Sequence, residues 1–242
     1  MKKLIVGGCS FTFETWNWPT YVARDIGCGL KNTGMGSMGN GLISKRLIYE
    51  IEQHLKIMSP QDIVVGVMWS GIDRNEFYVN KHDLTENLDG WVENPTNVTN
   101  QKKWLITNSH WKFKKSVMWY ENYHTDVGSM IKTIENILRL QWYLEHKGIK
   151  YFMTTYMDIF QKNLKGYKII EHEEVNYLYN LIDQSKFLEV NGCYEWLLEN
   201  YKEDGFPKNK PNVWGTHPTK EGHKEFATKV ILPHIKKHIL NE

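Results

Sequence analysis

Little in this sequence points to a stapled, highly charged or membrane-bound protein. Cysteine is scarce: Cys9, Cys28 and Cys193 are an odd three, with no CxxC pair and no Cys/His cluster. That excludes a disulfide framework and a zinc ribbon, and makes a reducing compartment the default. Charge of one sign is missing too. Lys and Arg number 30 and Asp and Glu 28, a net charge of +2, too weak for the clustered cationic surface that nucleic-acid binding needs. Long apolar runs are absent. Leu4-Ile5-Val6, after Met1-Lys2-Lys3, stops at Gly7, short of a signal-peptide core or a bilayer span. The expectation is a cytoplasmic protein with neither nucleic acid nor membrane as partner. No internal repeat or low-complexity linker divides the chain, so its 242 residues are expected to form one domain, 1–242.

What the chain does have is aromatic residues. Ten are Trp, and Trp91, Trp104, Trp111 and Trp119 fall in one interval. An indole is a large apolar body with one polar handle, suited to cores and to binding surfaces alike.

Local patterns read as alternating strands and helices. Leu4 to Val6 is a buried strand closed by Gly7-Gly8, and Leu30 to Thr33 a second. Ile63 to Met68, apolar throughout, is a third, as a parallel sheet covered on both faces requires. Ile149 to Thr154 is a fourth. Helical spacing marks Pro19 to Ile26, Leu42 to Leu55, the stretch from Ile131 to Lys147, Glu173 to Ile182 and Tyr194 to Tyr201. Gly148 supplies the left-handed stop of the third of these. Lys220 to Leu240 is a last helix, interrupted or kinked at Pro233. Asn75 to Gly128 shows no sustained period and reads as an insertion or lid, about 75–128, with little regular structure. The alternation predicts an α/β fold whose working residues lie on loops after the strands' carboxyl ends.

Four stretches on such loops carry chemistry. In Gly7-Gly8-Cys9-Ser10-Phe11-Thr12, a Ser just past a strand end suits an acyl-transfer nucleophile whose own N–H faces the reacting oxygen; the bland alternative is an ordinary Gly-rich turn. In Gly215-Thr216-His217-Pro218-Thr219, a His on a loop at a helix start suits a general base, against the alternative of a surface His. Gly34-Met35-Gly36-Ser37-Met38-Gly39 formally matches GxGxxG. A dinucleotide reading is opposed by Glu50 and Glu52, which fall inside the following helix rather than at a strand end. The same loop can instead present backbone N–H groups to an oxyanion. In Met68-Trp69-Ser70-Gly71-Ile72-Asp73-Arg74, Asp73 and Arg74 either pair or cap a helix, or Arg74 holds an anionic group of a substrate. His234 and His238 can share a helix face, but no carboxylate or Cys completes a metal site.

The order of these pieces resembles the SGNH (GDSL-like) hydrolase family. Gly8-Cys9-Ser10-Phe11-Thr12 matches its first block with Cys9 in place of Asp, and His217-Pro218-Thr219-Lys220-Glu221-Gly222-His223 matches its last. The resemblance implies a flavodoxin-like three-layer α/β/α sandwich with a central parallel sheet. It implies Ser10 as nucleophile, His217 as base, and no metal or organic cofactor. The second block's oxyanion N–H falls on Ser37 or, one residue shifted, Gly36. The third block's Asn is missing from Trp69-Ser70-Gly71-Ile72, leaving Asn40, Ser70 or Arg74 to substitute. The last block's Asp is replaced by Trp214. These departures mark a divergent branch. The implied activity is that of a serine esterase acting on a small-molecule or glycan ester, such as a carbohydrate O-acetyl group. The alternative is a non-catalytic glycan- or protein-binding module on the same fold.

Overall fold

The computed structural model describes residues 2–78, 104–109, 114–161, 163–164, 167–201 and 217–240. Trp91, Trp111 and Trp214 lie outside them. The chain opens with β1 (Lys3–Gly8), a one-turn helix α1 (Ser10–Phe13), α2 (Trp18–Asp25), β2 (Gly29–Asn32), α3 (Asn40–Leu55) and β3 (Ile63–Trp69). An antiparallel pair follows, β4 (Asn75–Tyr78) against β5 (Trp104–Thr107). Then come α4 (Lys114–Asn122), α5 (Asp126–Lys147), β6 (Lys150–Thr155), α6 (Glu173–Tyr179), α7 (Cys193–Tyr201) and a last helix, α8, which begins with Lys220–Phe226 and runs on through Lys236–Leu240.

The central sheet is four-stranded and parallel, in the order β2-β1-β3-β6. That is the strand order with which a flavodoxin-like sheet begins. Side chains alternate across it with period two. Ile5, Val65 and Val67 face one layer, where they pack with Leu42, Leu47 and Ile51 of α3 and Ile134, Ile137 and Leu144 of α5. Leu4, Val6, Val64 and Met68 face the other, with Trp18 and Val22 of α2, Leu197 of α7 and Phe226, Ile231 and Ile235 of α8. Both faces are thus covered, and β3 is buried from end to end. Each fully buried Leu or Ile contributes roughly 1.5–3 kcal/mol, so the two layers anchor the strand ends from which the loops depart.

Local signals account for the boundaries. Thr125 caps α5, its hydroxyl accepting from the Gly128 N–H at 3.0 Å. Gly148 ends that helix at φ 66°, in the left-handed region. Pro233 interrupts the regular pattern of α8 without ending it. Wider π turns, Ala227–Ile231 and Lys236–Leu240, flank Leu232–Ile235, which lets the chain pass a residue that has no N–H to donate. No helix among the described residues is long and apolar enough to cross a membrane.

The insertion holds more regular structure than its sequence suggests. β4 and β5 pair over four residues each, and α4 lies against the loop after β3. The Tyr120 hydroxyl donates to the Asp73 carbonyl, and Ser109 Oγ donates to Asp73 Oδ2 at 2.8 Å. β4 also reaches α3. Glu76 Oε1 accepts from the Leu42 N–H at 3.1 Å, in the first turn of the helix, where a carboxylate is favoured. Burial pushes the Glu76 pKa up to about 7, and the Leu42 and Gly39 amides, Lys45 and Arg139 offset burial only in part.

The folded protein therefore holds the Glu76 proton more tightly than the unfolded chain does. On this group's account stability falls as pH rises from about 4.5 to about 7. Urea unfolding across that range is expected to show wild type losing on the order of 3 kcal/mol relative to Glu76→Gln. A pH-independent difference between the two would contradict the burial assigned to this carboxyl.

Candidate active site

Three loops leave the carboxyl ends of β1, β2 and β3 side by side. The first turns sharply at Gly8, where a Cβ would approach the Met68 carbonyl to 2.9 Å and collide with Thr12. Cys9 is buried, and Ser10 begins α1. The turn is pinned from three directions. The Thr12 N–H donates to the Cys9 carbonyl at 2.9 Å, Asn17 Nδ2 to the Ser10 carbonyl at 2.9 Å, and Asn32 Nδ2 to the Thr12 carbonyl at 2.5 Å. Trp18 Nε1 donates to Thr12 Oγ1 at 3.2 Å from below.

The second loop is tied to the first by the Met35 N–H, which donates to the Gly8 carbonyl at 3.1 Å. Met35 and Met38 close a turn over Gly36 and Ser37. Ser37 sits there at φ 59°, the one non-glycine with positive φ among the described residues. That position of a turn ordinarily takes glycine, and holding another residue in it costs about 1–3 kcal/mol. The N–H groups of Ser10, Gly36 and Ser37 have no acceptor among the described residues.

His217 reaches this corner from the opposite end of the chain. Thr219 caps α8, its hydroxyl accepting from the Gly222 N–H at 3.1 Å, and Pro218 is buried in front of it. His217 Nε2 lies 2.6 Å from Ser10 Oγ, across 207 residues of sequence. Phe11 holds the ring in place: its centroid is 4.9 Å from that of His217 and 5.2 Å, edge-on, from that of Tyr156. His223, the last residue of the His-Pro block, packs against Phe11 and Trp16. Burial first, and the neighbouring His217 second, drive its pKa down to about 3. It is a neutral core residue, and His217, half-buried, is the imidazole within reach of the serine.

Asn40 does other work than expected. Its Nδ2 donates to the Ser70 carbonyl and to Thr133 Oγ1, both at 3.1 Å, and its Oδ1 accepts from the Ser70 N–H at 2.7 Å. Both amide hydrogens are committed, so Asn40 is not an oxyanion donor but a clamp between α3, α5 and the loop after β3. Ser70 is fully buried, and its Oγ has no partner among the described residues. Asp73 and Arg74 form no ion pair with each other. Asp73 is turned to Ser109 and Tyr120, while Arg74 Nη1 points back toward the Met38 carbonyl, 3.5 Å away.

The dinucleotide reading of Gly34 to Gly39 meets a physical obstacle. The carboxyl group of Glu76 occupies the start of α3 where a pyrophosphate would sit. Glu50 and Glu52 are engaged elsewhere, Glu50 with Lys31 at 3.2 Å and Glu52 with Lys147 at 2.8 Å. Glu76 is the residue that sequence reasoning missed, since nothing in its neighbourhood signals a contact 34 positions away. His234 and His238 stack with centroids 4.6 Å apart, and among the described residues no group of three or more ligating side chains forms around them or elsewhere.

One family model matches residues 8–242, almost the full length. The chain belongs to DUF6071, a family of unknown function. No curated protein matches this DUF6071 chain. Among solved structures it is similar to a lipolytic protein of the G-D-S-L family from Desulfitobacterium hafniense DCB-2, at 11% identity and a TM-score of 0.43, over 94% of this chain and 96% of that one. It is also similar to the acetyl xylan esterase AlAXEase, at 14% identity and a TM-score of 0.42, over 98% of this chain and 99% of that one.

Removing the Asn40 side chain leaves the Ser70 N–H and carbonyl unpaired in the interior. Asn40→Ala is expected to cost about 3 kcal/mol of unfolding free energy in urea. A loss below about 1 kcal/mol would show that the clamp is not needed to hold the loop.

Proposed function

We propose that this DUF6071 protein is a serine esterase in which Ser10 is the nucleophile and His217 the general base. The observation that carries the reading is the 2.6 Å separation of Ser10 Oγ and His217 Nε2. With its proton on Nδ1, the neutral imidazole accepts from the serine hydroxyl. Attack forms the bond from Oγ to the ester carbonyl carbon, and the carbonyl electron pair moves onto oxygen. The serine proton passes to Nε2. When the tetrahedral species collapses, the bond to the leaving alcohol breaks and that alcohol takes the proton from Nε2. Water then repeats the sequence on the acyl-serine. The free N–H groups of Ser10 and of Gly36 or Ser37 are the backbone donors for the oxyanion. The turn that pins them at φ 59° for Ser37 supports this role, because strained backbone clusters where geometry must be held.

The substrate is an ester, with a carbohydrate O-acetyl group as the leading case. Aromatic rings on the insertion support a sugar-sized ligand. Trp119 lies 4.9 Å edge-on from Phe77 and 5.7 Å, stacked, from Tyr123. The same rings support the second reading, a module that binds a glycan or protein without turnover.

A fluorophosphonate probe separates the two. Wild type is expected to label, with labelling and p-nitrophenyl acetate hydrolysis both abolished in Ser10→Ala and reduced at least ~10³-fold in His217→Ala. A folded wild type that does not label, but binds a glycan less well after Trp119→Ala, would replace the esterase by the binding module.

A further inference from the structure

Arg74 stands beside this site, near enough to Asp73 to feel its charge but not in contact with it. Among the described residues it forms no ion pair, although its neighbour in sequence is Asp73. Its guanidinium makes a long hydrogen bond to the Met38 carbonyl at 3.5 Å and a second hydrogen bond to the Cys9 thiol. The Tyr156 ring lies 5.5 Å from its Cζ, and that ring in turn packs edge-on against Phe11, the residue that touches His217.

These neighbours define its place. Met38 directly follows Ser37, and Cys9 directly precedes Ser10, so the guanidinium spans the gap between the two turns that carry the free N–H groups. A guanidinium carries five N–H donors, and the Met38 carbonyl and the Cys9 thiol leave the rest of them for an anion. The nearest source of transient negative charge is the ester oxygen that Ser10 would convert to an oxyanion. The stretch Trp69-Ser70-Gly71-Ile72 holds no side-chain amide for that oxygen, and the Asn40 amide is committed to Ser70 and Thr133.

We propose that Arg74 is the third oxyanion donor of this site, its guanidinium hydrogen-bonding the carbonyl oxygen as Ser10 attacks. The inference rests on the serine-esterase reading and assigns one catalytic residue within it. A cation in this position interacts far more strongly with the tetrahedral oxyanion than with a neutral ester carbonyl. Its contribution therefore falls on kcat and leaves KM nearly unchanged.

The test compares wild type, Arg74→Met, Arg74→Lys and Arg74→Ala, by the rate of fluorophosphonate labelling and by kcat and KM for p-nitrophenyl acetate. Circular dichroism confirms that each is folded. Arg74→Met is expected to slow labelling and kcat by ~10²–10³ with little change in KM. Arg74→Lys is expected to recover part of the rate, as is guanidinium at non-denaturing concentration added to Arg74→Ala. If Arg74→Met does not fold, the Lys variant and the rescue decide. Wild-type labelling by Arg74→Met overturns the inference while leaving the esterase intact. So does a defect confined to the KM of a negatively charged ester such as p-nitrophenyl hemisuccinate, which would make Arg74 a substrate-anion contact instead. A wild type that does not label removes the esterase reading and this inference together.

Discussion

Ser10 and His217 meet at hydrogen-bond distance although they lie at opposite ends of the chain, and most of the fold's constraints can be traced to keeping them there. The serine is fixed by the end of β1, a strand flanked by β2 and β3 and buried in both layers. The histidine is fixed by the start of α8, which is sewn to the same layer through Phe226, Ile231 and Ile235. A shift of either element by one turn or one register step would separate the two side chains, since helix and strand advance about 5.4 Å per turn and 3.3 Å per residue. The two hydrophobic layers thus set the separation of these two side chains as well as the protein's stability.

Aromatic packing then refines what the layers position. Phe11 follows the serine directly and contacts His217, His223 and Tyr156 at once. It transmits the position of the β1 turn to the imidazole without a hydrogen bond. His223 shows the converse of a useful histidine: once buried it is held neutral, and a neutral ring packs where a charged one could not. Two histidines six positions apart in one motif therefore have unlike roles because one is in the core and the other at the edge of the serine's loop.

Much of this was legible in the sequence because its signals are local. Ile63 to Met68 reads as a doubly covered strand from its unbroken apolar run, Gly148 as a helix stop, and Lys220 to Leu240 as a last helix. The Gly8-Cys9-Ser10 and His217-Pro218 blocks likewise announce themselves over a few residues each. What escaped reading depends on contacts between distant residues. β4 and β5 are four residues each, too short to show an alternation, and each becomes a strand only against the other. Asn40 looks like a free amide until Ser70 and Thr133 close on it. Glu76 looks like a surface acid until α3 presents its first turn to it. Amino-acid type reveals what a side chain can donate or accept, and only the tertiary fold reveals whether that capacity is already used.

The central claim is that the corner where β1, β2 and α8 converge is built to hold a tetrahedral adduct on Ser10. A crystal structure of the protein after reaction with a fluorophosphonate tests it most directly. The account predicts phosphorus bonded to Ser10 Oγ. It places the phosphoryl oxygen about 3 Å from the N–H groups of Ser10 and of Gly36 or Ser37, with His217 Nε2 on the side of the departing group. Phosphorus on another residue, or a phosphoryl oxygen turned to solvent away from both N–H groups, would contradict it.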